Sequence, residues 1–374
     1  MSRIKAFFFL CRCLSEESGP ARGLSLADEI RRGLVCWECV VQIASEYLMT
    51  VALYCALMEK GLLGLIPADL LEYFELIHSL NGTRNRGIVE QTVEIAGILN
   101  RIGVEPLLFK GAGHIGSGLY GDAAMRIVYD IDILVPEECA VECEECLIAA
   151  GYRGAAVAYR PDAHFHGPIL RREGRTAGVE LHRWSPWPEF LNTAAMYDDS
   201  ALLALRGVGM RTPSPTAGVI IAIAHAWVQH ASKRNGVVPL RDLYDTALVA
   251  RRKAGEIDWA RVVRTFHEAG QMDAPHTHGM MLERLFGQRI PGVDGRPHRE
   301  WLYWRLGLLG IRSPAVGEMV ARNAADLGDL FANSADGRRV RKELATAATY
   351  SRKLRNLRTA LRRRGPASEG ASKN

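Results

Sequence analysis

The 374-residue chain has no Walker-type phosphate loop, no H-E-x-x-H zinc motif, no internal repeat and no low-complexity tract before its last ten residues. Without a G-x-x-x-x-G-K-[ST] segment it is not a P-loop NTPase, and without H-E-x-x-H it is not a zinc-dependent protease of that kind. Long apolar runs are also missing near the start: Ala6 to Cys11 is cut by Arg12, is too short to span a membrane, and is followed by no small-residue cleavage pattern. The eight cysteines sit at 11, 13, 36, 39, 55, 139, 143 and 146. In a chain of this size without a secretory signal they are expected as reduced thiols, and the protein as cytoplasmic with no transmembrane segment.

The hydrophobic fraction of 48% and charged fraction of 24% are those of an ordinary globular protein able to bury a large core. The net charge of +5 is unevenly spread. Residues 338–364 hold eleven Lys or Arg against the single Glu343, a net of +10, and residues 365–374 are neutral, which leaves −5 for residues 1–337. Leu344, Leu354, Leu357 and Leu361 alternate with these cations at helical spacing. Such a helix can lie on nucleic acid, an acidic partner or an anionic surface, or pack its leucines on the acidic body.

Four regions are expected: an N-terminal helical region (1–102), an α/β core (103–188), a C-terminal helical region (189–336), and a basic helix with a disordered tail (337–374). The first contains a long helical pattern over Ala27 to Gly61, a helix from Pro67 to Ser79 closed by Asn81-Gly82, and another from Asn85 to Ile102. In the core, Val104 to Phe109 and Val128 to Val135 read as strands separated by a turn and a helix. A helix from Glu137 to Ala150 follows, then strands in Gly151 to Tyr159, Pro168 to Arg171 and Gly178 to His182. Further helices are expected over Pro215 to Ser232, Pro239 to Arg252, Asp258 to Ala269 and Pro297 to Leu309.

The chemistry concentrates in the core. Asp130 and Asp132 flank Ile131 within an apolar run, and residues two apart on a strand share a face, so two carboxylates stand side by side. Their repulsion is relieved by a shared proton or by a bound divalent metal, and Mg²⁺ favours carboxylate and phosphate oxygens. Upstream, Lys110 to Gly118 (KGAGHIGSG) is a glycine-rich turn suited to anions, or simply a turn. Glu180 alternates with Val179 and Leu181 and is the candidate third acid, with His182 on its face; the alternative is a strand-surface charge. Arg126 can reach a triphosphate or pair with the aspartates, and Lys110 is either a phosphate contact or a solvated strand end.

Taken together, Leu108-Phe109-Lys110-Gly111, Tyr120, Arg126, Asp130 to Val135, His164 to Pro168 (HFHGP), Val179 to His182, His225, His230 and Leu240 to Asp245 (LRDLYD) resemble the bacterial "uncharacterised nucleotidyltransferase" family of the DNA polymerase β superfamily. The resemblance covers roughly residues 40–250 and implies an α/β (α+β) fold, a polymerase-β-like core with a small mixed sheet flanked by N- and C-terminal helical regions. It further implies Mg²⁺-dependent transfer of a nucleoside monophosphate from an NTP, ATP included, to an acceptor that can be RNA, protein or a small molecule, with release of pyrophosphate. Two metal ions, Mg²⁺ or Mn²⁺, would be held by Asp130, Asp132 and Glu180. Lys110, Gly111, Gly113, Arg126 and His182 become the nucleotide-binding candidates. One departure is visible: superfamily members often carry Ser or Thr in the turn, where this chain has Ala112, Gly113 and His114. The alternative this raises is a catalytically degenerate nucleotide- or RNA-binding scaffold.

Neither the histidines nor the cysteine pairs spell a zinc site. His164, His166, His182, His225 and His230 lack a finger spacing, and Cys36-x-x-Cys39 and Cys143-x-x-Cys146 lie in helical patterns that favour packing as small hydrophobes.

Overall fold

The computed structural model describes residues 1–16, 24–154, 165–229, 237–293 and 298–313. His164, His230 and the basic segment 338–364 lie outside the described residues.

Among the described residues seven strands form one mixed sheet: β1 (Leu107–Leu108), β2 (Asp130–Leu134), β3 (Arg153–Gly154), β4 (Leu170–Arg171), β5 (Gly178–His182), β6 (Ser200–Leu205) and β7 (Val208–Pro213), in the order β3-β4-β5-β2-β1-β7-β6. The pairs β2–β5 and β1–β7 are parallel and the rest antiparallel. Helices are α1 (Arg3–Leu14), α2 (Leu26–Arg31), α3 (Trp37–Glu46), α4 (Thr50–Glu59), α5 (Ala68–Asn100), α6 (Lys110–Gly116), α7 (Ala140–Ala149), α8 (Thr193–Asp198), α9 (Pro215–Ala224), α10 (Leu240–Arg252), α11 (Trp259–Glu268), α12 (Asp273–Phe286) and α13 (His298–Arg312). The fold is thus the expected α/β core between helical regions. Among the described residues no helix is long and apolar enough to cross a membrane.

Strand alternation assigns the two faces of the sheet. Ile131, Ile133, Val179 and Leu181 point into one core, built with Ile88, Ile95 and Leu99 of α5 and Cys143 and Leu147 of α7. The residues between them, Asp130, Asp132, Glu180 and His182, therefore belong to the opposite face. There Leu107, Phe109, Leu134 and Trp187 join the second, larger core, which includes α1, α3, α4 and the helices α9 to α12. Burying Cys143 in α7, with Cys139 and Cys146 packed against the same core, is the small-hydrophobe role their spacing suggests.

Two expectations are corrected. Asn81-Gly82 does not end a helix: α5 runs unbroken for 33 residues. The asparagines that read as turn formers are used sideways, with Asn81 Nδ2 donating to the carbonyls of Ala124 (2.5 Å) and Arg126 (3.1 Å), and Asn85 Nδ2 to those of Ala123 (2.6 Å) and Arg126 (2.8 Å). The region from residue 189 is also not wholly helical, because β6 and β7 add a hairpin to the sheet. Its two-residue turn, Arg206-Gly207, has positive φ at both positions (51° and 78°), the geometry whose twist matches paired strands.

Within the helical region, Trp227 Nε1 donates to Nδ1 of the fully buried His278 at 2.9 Å, and His278 Nε2 lies 2.9 Å from Thr246 Oγ1. Indole is a donor only, so His278 carries its proton on Nε2 and has no place for a second. Burial pushes its pKa down to about 4, outweighing the opposing pull of Asp242. A histidine that is neutral when folded and protonated when unfolded contributes stability that is fully present above pH 6.5 and lost as pH falls towards 4. Thermal melts from pH 7.5 to 4.5 should show a falling Tm, and His278→Gln should flatten that fall; an unchanged slope would exclude His278 as its source.

Candidate active site

The centre of the site is set by register. Asp132 on β2 pairs with Glu180 on β5, and Leu134 with His182. One oxygen or nitrogen from each of Asp132, Glu180 and His182 lies within 4.8 Å of the others. Asp130 stands one pleat before Asp132, half-buried at the head of β2. The register of β2 and β5 thus brings Asp132 and Glu180 together beside Lys110, while Asp130 is not one of the three residues within that distance.

Helix α5 positions both strands. Its Asn81 and Asn85 hold the Arg126 carbonyl just before β2. Nearly two turns further on, the fully buried Gln91 donates to the Ala177 carbonyl and accepts from the Ala177 N–H, both at 2.9 Å, just before β5. Asparagine and glutamine on one rigid helix thus fix the start of each acid-bearing strand, a role that no local pattern in the sequence marks.

Lys110 Nζ donates to Asp132 Oδ1 at 2.8 Å. Its ammonium also lies over the rings of Phe109 and Trp187, at 5.3 and 5.9 Å from their centroids. Burial opposes the charge on Lys110, but Asp132 and then Glu180 outweigh it and hold the pKa above its ordinary value. Lys110 opens α6 with φ of 54°, an uncommon left-handed conformation for a residue other than glycine. Such strain is tolerated where surrounding contacts fix the residue, as they do here.

His182 is wholly buried, with Nε2 3.2 Å from Asp132 Oδ1 and 3.9 Å from Glu180 Oε2. Phe165 stacks on its ring at 5.3 Å, and Phe109 meets it edge-on at 4.8 Å. Burial is the main cause of a pKa lowered to about 4, so the ring is neutral near pH 7. An ionised carboxylate only accepts, so His182 donates from Nε2, while its Nδ1 has no hydrogen-bond partner among the described residues. Asp132 is buried too. Burial alone would raise its pKa, yet Lys110 and then His182 hold the carboxyl far below its usual value.

The remaining nucleotide-binding candidates are placed differently. Gly111 and Gly113 are buried in the first turns of α6, where a Cβ on Gly113 would meet the Leu108 carbonyl oxygen at 2.7 Å and one on Gly111 the Val128 methyls at 3.0 Å. Their smallness serves helix-on-strand packing. Arg126 is buried and pairs with Asp245 at 2.9 Å rather than with Asp130 or Asp132. Tyr120 completes this cluster: its hydroxyl donates to Asp245 and its ring lies 5.6 Å from the Arg126 guanidinium carbon. His114 Nδ1 approaches Asp245 at 3.5 Å. The other aspartate of the LRDLYD segment, Asp242, lies 3.0 Å from His225 Nδ1, and the His225 ring packs edge-on against Trp187.

A second group, Cys55, His78 and Asp122, also brings three ligand types together. Asp122 there uses Oδ1 to cap the 123–125 turn and Oδ2 to meet His78 at 2.6 Å, and burial pushes the Cys55 thiol up to about 12. Carboxylates on paired strands beside a lysine suit phosphate chemistry; this thiol-containing group does not.

The family described as "uncharacterised nucleotidyltransferase" matches residues 34–287. The chain belongs to that family. The nucleotidyltransferase shares 15% identity with an antigenic nucleotidyltransferase-like protein from Paracoccidioides brasiliensis, whose crystal structure aligns over 45% of this chain and 77% of that one with a TM-score of 0.33. No curated protein matches it. All of β1 to β7 and the LRDLYD segment of this nucleotidyltransferase fall within the matched span.

Proposed function

We propose that this nucleotidyltransferase moves a nucleoside monophosphate from an NTP to an acceptor bearing a hydroxyl or phosphate, with Asp130, Asp132 and Glu180 holding divalent metal. The reading rests on one observation above all: the Asp132–Glu180 register pair, with Lys110 bound to Asp132. The Asp132 and Glu180 carboxylates, with oxygens within 4.8 Å of one another, are hard oxygen donors of the kind that suit Mg²⁺ or Mn²⁺. When bound, the metal, two ions in the full complement, would neutralise triphosphate charge and activate the attacking oxygen.

The chain's own residues supply the rest. Lys110 has three N–H donors on a compact charge and can serve Asp132 and a phosphate oxygen at once. His182 stays neutral near pH 7 and fixes the orientation of the Asp132 carboxylate, as an outer-shell group does for a metal ligand. The Phe109 and Trp187 rings beside the Lys110 ammonium lower the polarity around its contact with Asp132, which strengthens it. Arg126, committed to Asp245, supports the lead-in to β2.

The test is incubation of the full chain with cell lysate and each α-³²P-labelled NTP, with Mg²⁺, Mn²⁺ or chelator. A labelled species and equimolar pyrophosphate, both lost with chelator, are expected, and the size of the species tells RNA, protein and small-molecule acceptors apart. Metal-dependent thermal stabilisation by an NTP without label or pyrophosphate would instead favour a degenerate nucleotide-binding scaffold, the alternative that the hydroxyl-free Ala112-Gly113-His114 turn raises.

A further inference from the structure

The cysteines divide into two environments. Cys11, Cys13, Cys55 and Cys143 are buried, whereas Cys36, Cys39, Cys139 and Cys146 are partly exposed. Of these, Cys36 and Cys39 are set apart by their position. Cys36 is the extended residue capping the N-terminus of α3, and Cys39 is the third residue of that ten-residue helix. Spacing of three around a helix start turns both thiols to one side, and their sulfurs are 2.8 Å apart. Trp37 between them is pinned edge-on against Phe9 of α1, with ring centroids 5.8 Å apart, so the start of the helix is anchored while the thiols stay accessible.

Among the described residues no third His, Cys, Asp or Glu joins the two sulfurs at metal-ligating distance. The pair is therefore placed for sulfur–sulfur chemistry rather than for zinc. The two thiols are also unequal. The Cys39 thiol, and after it the Cys39 amide at the open helix end, stabilises a thiolate at Cys36 and lowers its pKa, while the same contact raises that of Cys39. A lowered, accessible thiol beside a second thiol is the arrangement in which disulfide exchange is fast.

We propose that Cys36 and Cys39 form a thiol–disulfide exchange site whose substrate is a small disulfide of the glutathione class. The Cys36 thiolate attacks one sulfur of the disulfide, forming a mixed disulfide and expelling one thiolate. Cys39, losing its proton to water, then attacks the Cys36 sulfur and expels the second thiolate. The protein dithiol loses two electrons and two protons and becomes the Cys36–Cys39 disulfide; the small disulfide is reduced to two thiols. The site lies on the helical N-terminal part of the chain and does not depend on the nucleotidyl-transfer reading.

The test equilibrates reduced full-length protein with glutathione buffers of increasing oxidised fraction, followed by acid quench, alkylation and peptide mass mapping. The expected result is an internal Cys36–Cys39 disulfide that reverses with the buffer. Cys39→Ser should trap one glutathione on Cys36, and Cys36 should react several-fold faster than Cys139 or Cys146, which serve as partly exposed controls on the same chain. Cys36→Ser puts a preferred capping residue at the start of α3, so it should stay folded by circular dichroism and leave Cys39 slow. Equal rates at Cys36, Cys139 and Cys146, no internal disulfide at any buffer ratio, or zinc co-purifying with the two thiols would each overturn the proposal.

Discussion

Asp132→Asn should lower nucleotidyl transfer by about 10³-fold or more, because loss of a metal-ligating carboxylate removes several kcal/mol of transition-state charge stabilisation. The replacement is isosteric and its side-chain oxygen can still accept from Lys110 Nζ and His182 Nε2, the two contacts now made by Oδ1. The fold should persist, with a lowered Tm because the Lys110 ammonium loses its charged partner within a buried setting. Glu180→Gln, across the strand pair, should show the same loss of transfer with a smaller loss of stability, since Lys110 bonds Asp132. Single-turnover transfer from α-³²P-NTP measures the first effect and circular dichroism melts the second. A folded Asp132→Asn protein that labels its acceptor at the wild-type rate would dismiss the assigned role. Folded variants with lost transfer but unchanged metal-dependent NTP stabilisation would place the metal on other residues.

How far the sequence revealed this site depends on the range of the interactions that build it. Alternation has a period of two, so the shared face of Asp130 and Asp132, and that of Glu180 and His182, could be read from five-residue segments. The buried partners of that alternation, Ile131, Ile133, Val179 and Leu181, are found where the pattern puts them. What could not be read is whatever depends on distant partners. Asn81-Gly82 has the local chemistry of a turn, but tertiary hydrogen bonds to the carbonyls of residues 124 and 126 retain it within a helix. In the β6–β7 hairpin, β6 is alanine and leucine apart from Ser200, β7 carries Gly209 and Pro213, and arginine stands where asparagine is the usual turn signal, so short-range propensity misses it. Sequence proximity offers Arg126 either a triphosphate or the nearby aspartates, while the partner it has, Asp245, lies 119 residues further along and is reached only through the packing of α10.

That distant pairing leads to the largest stability effect expected in the molecule. Arg126 and Asp245 have side chains only 5% and 4% exposed, and the carboxylate also receives the Tyr120 hydroxyl. Burial would raise the Asp245 pKa, but Arg126 and then His114 outweigh it and keep the carboxylate ionised. Asp245→Ala would leave the guanidinium buried without a counter-charge, at a cost of about 3–5 kcal/mol. Arg126→Met alone should be costly for the converse reason. The double variant Arg126→Met/Asp245→Leu removes both charges together and should be destabilised far less than the sum of its parents, since a buried pair replaced by hydrophobes is often near neutral. Urea unfolding of the four proteins gives the coupling directly, and additive effects would show that the two residues do not act as a pair. The cycle also separates support from chemistry. If Arg126 serves by holding the lead-in to β2, the double variant should recover stability and most transfer together; if Arg126 also contacts phosphate, stability should return while transfer stays low.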